Sequence, residues 1–134
     1  MRQVINYPNV LDAKASTGAS KVIFARDFRN AVVAVSAPVN STFTIKFAGA
    51  IGDTAPDFTS AQSSTNIYDF LQVVDLQSGS AIAGDTGVTI DNTGADVNNR
   101  MFEINTNAVD WICIIVSSYT DGSVTASITL TDNA

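Results

Sequence analysis

The chain has 134 residues, 46% hydrophobic and 15% charged, a composition that excludes disorder as a description of the whole and supplies one domain with a core that needs no covalent staples. It carries a net charge of −6, no histidine and one cysteine, which excludes an internal disulfide, Ser-His-Asp and Cys-His catalytic arrangements and the usual zinc ligands. The charge is uneven: residues 1–50 hold six bases against Asp12 and Asp27, a net of +4, and residues 51–134 hold eleven acids against Arg100 alone, a net of −10.

Without a clustered basic surface, nucleic acid is not an expected partner. The polarity would suit a basic face on one subunit meeting an acidic face on the next, unless interleaved strands mix the two halves. Thr, Ser, Asn, Asp, Gly and Val are abundant and the strong helix formers Leu, Glu and Lys are scarce, which favours an all-β fold.

Residues 1–134 read as a single domain. The N-terminal MRQVINYPNVLDAK lacks the charged, apolar and small-residue succession of a secretory signal, and no apolar run approaches the ~20 residues that cross a bilayer. The expectation is a protein made in a cytoplasm without Sec-type export and with no membrane partner. Residues 1–15 read as an extended arm: Val4, Ile5, Tyr7, Val10 and Leu11 are apolar but irregularly spaced, and Pro8 bars a helix. We expect this arm to pack across a neighbouring subunit, adding a strand to it.

After a loop at residues 16–20, strand candidates follow at short intervals: Lys21–Ala25, Ala31–Ser36, Thr42–Ala48, Ile67–Leu76, Gly87–Asp91, Arg100–Asn105, Trp111–Tyr119 and Ser123–Thr131. Thr42–Ala48 alternates cleanly, with Phe43, Ile45 and Phe47 inward. The long loop Gly49–Asn66, with Pro56 and Phe58, exceeds hairpin length and is expected to be functional or to lie across a neighbour. About eight strands so spaced, with no amphipathic helix, predict an antiparallel β-sandwich, jelly-roll-like or Ig-like, or a small barrel.

The segment Trp111–Leu130 is the most telling. Two strands meet at a turn, Thr120-Asp121-Gly122, and on the second Val124, Ala126, Ile128 and Leu130 alternate with hydroxyl residues. The first does not alternate: Trp111, Cys113 and Ile115 point one way and Ile112, Ile114 and Val116 the other. Tyr119 is expected to face the same side as Trp111. A strand apolar on both faces must be covered on both, and in a short chain the second cover is expected from another subunit. Trp111, Cys113, Ile115 and Tyr119 therefore join the arm as candidate interface residues, with Cys113 buried and inert. Ala31–Val35 is also apolar on both faces.

Three motifs compete with this structural reading. Gly84-Asp85-Thr86-Gly87, followed by Asp91-Asn92-Thr93-Gly94, resembles the Asp-Thr-Gly signature of retroviral-type aspartic proteases, whose paired aspartates share a proton. Gly84 replaces an apolar residue of that pattern, Asn92 interrupts the second segment, and no apolar-apolar-Gly motif follows. The Asp91–Asn98 loop is rich in oxygen ligands for Ca²⁺ but lacks EF-hand spacing and its closing glutamate, so it reads as a turn. Tyr7, Tyr68, Trp111 and Tyr119 are candidates for a sugar-stacking platform in a glycan-binding or adhesion module. Neither a cofactor nor a metal is expected.

The run Arg100-Met101-Phe102-Glu103-Ile104-Asn105, then Asp110-Trp111 and the strand–turn–strand to Ile128, resembles the closing strands of small β-sandwich structural proteins of tailed bacteriophages. Segments 49–58 and 69–75 are also similar to that group. The resemblance implies a non-enzymatic virion component, a capsid decoration or cement protein in symmetric oligomers such as trimers, bound to the major capsid protein or another virion protein. It carries over no catalytic residue.

Overall fold

Segments with two-residue alternation form the centre of two antiparallel sheets packed face to face, as seen in a computed structural model that describes residues 3–93 and 98–132. Numbered in chain order, the first sheet runs β1 (Val4–Lys14), β12 (Val124–Thr131), β4 (Asn30–Ala37), β10 (Asn98–Asn105), β7 (Val73–Asp75), β8 (Ala81–Ile82). The second runs β2 (Gly18–Ala19), β11 (Trp111–Asp121), β5 (Ser41–Ala50), β6 (Asp69–Phe70), with β3 (Ile23–Phe24) also on β11 and β9 (Val88–Asn92) also on β5. The described residues contain no helix.

Chain order and spatial order differ because β4, β10 and β11 each hand the chain to the opposite sheet. Between the sheets lie Phe43, Ile45, Ile90, Phe102, Ile104, Ile112, Ile114, Ile128 and Leu130, all essentially buried, with the Phe47 and Phe102 rings 5.8 Å apart. Each such side chain contributes roughly 1.5–3 kcal/mol by leaving water.

The expected strand Ile67–Leu76 is in fact two. It breaks at Leu71-Gln72, sending β6 to one sheet and β7 to the other, where β7 pairs with β10. The crossing residues Leu71 and Gln72 are half-buried and exposed, respectively, and the apolar residues on either side of them give no local sign of the break. The expected strand Lys21–Ala25 shortens to β3, and the expected loop at residues 16–20 contains β2; the two short pieces dock at separate points along β11.

The arm is extended, as its composition implies, but it is β1 of this chain's own sheet. It pairs antiparallel with β12 from Val4–Thr131 to Lys14–Val124. The irregular apolar spacing that made it look free comes from two register shifts, one on each side of Leu11. Asn9 and Ala13 adopt φ of 52° and 47°, and their amides donate to the Ser127 and Thr125 hydroxyls rather than to β12 carbonyls. Bulges of this kind twist an edge strand away from further pairing. They also turn Val10 and Leu11 into the core.

Candidate contact surfaces

The two-sided strand β11 is the frame for what the chain presents outward. Its inner residues Ile112, Ile114 and Val116 belong to the main core. On its outer side, Cys113 is buried with Ala48, Ala50, Phe58 and Tyr68 in a second, smaller apolar cluster, against which Trp111 and Ile115 pack. The cover expected from another subunit comes instead from this chain: the loop after β5 folds back across the sheet and lays Phe58 and Tyr68, 5.1 Å apart, over Cys113. Burial pushes the Cys113 thiol up from its ordinary value, and hydrogen bonding from Ser20 only partly offsets it.

That loop is built to hold one shape. Asp57 accepts from the Thr59 amide at 2.9 Å and from the Ser60 hydroxyl at 2.8 Å, closing a tight turn. Asn66 spans the loop, its amide group donating to the Asp57 and Ala61 carbonyls while its Oδ1 accepts the Asp57 amide. The Tyr68 hydroxyl donates to the Ser60 carbonyl at 2.7 Å. At the loop's start, Gly52 is fastened by three side chains: its carbonyl accepts from Trp111 Nε1 at 2.9 Å and from Arg26 at 3.0 Å, and its amide donates to Asp110.

On this rigid loop stand the two most exposed large apolar residues described, Ile51 at 74% and Ile67 at 73%. They flank an open groove of about 390 Å³ floored by Gly49, Ala50, Tyr68 and Leu71. Sequence reasoning flagged the loop but not these two residues. The available signal was an isoleucine at each end of a segment otherwise filled with Asp, Ser, Thr and Asn.

The expected interface set divides accordingly. Val4 and Ile5 are exposed on β1, Tyr7 is half-buried against the core, and Val10 and Leu11 are consumed by it. Trp111 is half-buried and stacked on Phe24 with centroids 4.7 Å apart, Cys113 is buried, and Ile115 is half-buried. Tyr119 does not share the side of Trp111. A register shift between Val116 and Ser118 inserts one residue and reverses the alternation, so Tyr119 lies opposite Phe43, packs on the main core and donates to the Gly122 carbonyl at 2.9 Å. Of the four aromatics considered for a sugar platform, Tyr68 and Trp111 belong to the smaller cluster and Tyr7 and Tyr119 pack on the main core, so the four do not form one platform.

Folding brings one base of the basic half directly onto the acidic half. Arg26, from the basic half, binds Asp53 at 3.0 Å and Asp110 at 2.8 Å, both from the acidic half. Arg100 pairs with Asp75 at the rim of the core and lies over the Phe102 ring, 5.6 Å from its centroid. The other two-sided strand, β4, keeps Val33 and Val35 inside and leaves Ala34 exposed between Ser127 and Met101.

Asp85 of the Asp-Thr-Gly segment sits in an exposed turn whose glycines have packing reasons. A Cβ on Gly84 would stand 2.2 Å from the Phe70 carbonyl oxygen, and Gly87 adopts φ of 70°. Residues 94–97 of the loop considered for Ca²⁺ lie outside the described residues, among which no group of three His, Cys, Asp or Glu side chains is placed to hold a metal ion.

No protein-family model matches the chain, and neither does any curated protein. Solved structures do. The SPBc2 prophage-derived protein YomS is similar with a TM-score of 0.70 at 15% identity, over 98% of this chain and 95% of that one. The PBSX exported protein XepA is similar with a TM-score of 0.68 at 11% identity, over 97% of this chain, which spans 38% of XepA. The shared feature is the fold: two antiparallel sheets with no helix among the residues described here.

Proposed function

We propose that this chain is a non-enzymatic structural component of a bacteriophage virion, a head decoration or cement protein that assembles with its own copies as a trimer and binds the major capsid protein or another virion protein. The observation that carries the reading is the likeness, along nearly the full length of both chains, to a prophage-derived protein. The resemblance of residues 100–128 to closing strands of phage sandwich proteins points the same way. Physically, a cement protein needs a stiff body and preformed apolar contacts, because ordering a loop on binding subtracts from affinity. Ile51 and Ile67, standing on a loop already fixed by its own hydrogen bonds, meet that need.

The test is co-sedimentation of the purified protein with phage heads of the parent virus, with its solution mass from light scattering. A trimer that sediments with heads, and an Ile51→Ser/Ile67→Ser variant that stays folded but no longer sediments, is the expected result. A monomer that ignores heads at every concentration sinks the reading.

A further inference from the structure

We propose that the cleft between the β3–β4 turn and the β10–β11 turn, at one end of the sandwich, is a binding site for a neutral saccharide. Its first lobe, about 330 Å³, is lined by Arg29, Asn30, Glu103, Asn105 and Asn107. It shares Arg29 and Asn107 with a second lobe of about 390 Å³. Both volumes lie in the range of small-ligand sites.

The chemistry of the first lobe selects the ligand class. Three carboxamides, one guanidinium and one carboxylate line it, with no apolar side chain among them. The set sums to no net charge at neutral pH and presents N–H donors beside oxygen acceptors. No hydrophobic side chain lines this lobe to anchor an apolar ligand. An anion meets Glu103 in the first lobe and Asp27 in the second, where Arg26 is already paired with Asp110, on a chain of net charge −6. A cation meets Arg29. Adjacent sugar hydroxyls, each a donor and an acceptor, match the lining with no charge to accommodate.

The walls are fixed in advance. Thr106, fully buried, donates its hydroxyl to the Phe28 carbonyl at 3.2 Å and its amide to the Arg29 carbonyl at 3.1 Å, tying one turn to the other. The Asn107 amide donates to Asn105 Oδ1 at 2.9 Å, and Asn30 Nδ2 donates to Glu103 at 3.3 Å. In the second lobe, Asp27 and Ala108 are held at φ of 75° and 66°. An alanine there costs roughly 1–2 kcal/mol, strain of the kind that persists at ligand sites where the surrounding structure enforces it. Arg26 is engaged with Asp53 and Asp110, whereas the exposed Arg29 guanidinium has no ion-pair or hydrogen-bond partner among the described residues.

The test is an array of oligosaccharides of glucose, galactose, mannose and N-acetylglucosamine, with oligogalacturonate as the acidic arm, probed with the full chain. The best neutral binder is then titrated calorimetrically into wild type, Arg29→Gln, Glu103→Gln and Asn107→Ala. Neutral saccharides should bind, each variant should bind at least tenfold more weakly, and Val39→Ser, exposed just beyond the opposite end of β4 from Asn30, should bind like wild type. If Glu103→Gln lowers the melting temperature, the exposed Arg29 and Asn107 variants decide the matter. An array with no neutral saccharide bound, one with only oligogalacturonate bound, or variants that titrate like wild type would each overturn the proposal.

Discussion

The Asp110 carboxylate accepts the Gly52 amide through Oδ2 at 2.6 Å and Arg26 Nε through Oδ1 at 2.8 Å, so one side chain fastens the start of the long loop to the β3–β4 turn. The Arg26 bond first, and the Gly52 amide second, hold the carboxyl below its usual range. A carboxylate with a depressed folded-state pKa contributes stability above its unfolded value and loses it as pH falls through the folded one. The Asp57 carboxyl, held low by the Thr59 and Ser60 hydroxyls in the same loop, acts in the same direction. Asp110→Asn should therefore melt below wild type at neutral pH, and the gap should close as pH drops below about 4. Thermal scans of both proteins across that range check it; a gap independent of pH would show that the charge is not what fastens the loop.

Cys113 reports on the loop as a cover. Beneath Phe58 and Tyr68, with its thiol pushed up by burial, it should resist thiol reagents in the folded protein and react at once in denaturant. Tyr68→Ala should speed labelling of the folded protein on the order of tenfold by opening the loop locally. Equal labelling rates for the two would mean the loop does not guard the thiol.

The first strand is a structural member of the sandwich. Leu11→Ala should lower stability by about 2–5 kcal/mol, seen as a lower urea midpoint with an unchanged slope. Removing residues 1–15 should be worse, because β12 loses one of its two partners and the core loses Val10 and Leu11. A truncated chain with a native midpoint would mean that the arm is an appendage after all.

The two faces of β11 are unequal. Ile114 is in the main core, so Ile114→Asp should abolish folding by burying an unpaired charge. Ile115 is half-buried at the margin of the smaller cluster, so Ile115→Asp should fold, with a loss within the roughly 0.5–3 kcal/mol usual for single substitutions. Circular dichroism and urea titration separate the two outcomes.

Gly122, at the β11–β12 turn, adopts φ of 80°, and a Cβ there would stand 2.1 Å from Ser41 Oγ. The Ser41 hydroxyl also accepts the Ser123 amide at 3.2 Å, so it cannot move aside freely. Gly122→Ala should cost more than the roughly 1–2 kcal/mol of left-handed strain alone. Scanning calorimetry measures it, and a loss below that range would show that the turn can relax.

What the amino-acid order determined by itself was local: the helix-free class, the alternating strands around Phe43 and Ile128, the two-sided character of β11, and the turn at Gly122. These rest on a period of two and on turn chemistry, which neighbouring residues set. Tertiary structure decided which partner covers each apolar face. The arm pairs with β12, at the far end of the sequence, with Val4 opposite Thr131; the long loop, rather than a sister copy, lies over Cys113; and one inserted residue near Ser117 turns Tyr119 inward. The cleft around Arg29 was equally illegible, because residues 29–30 and 103–107 are brought together only by the β4–β10 pairing. A sequence states that a surface is apolar or polar; only the assembled sheets state what stands against it.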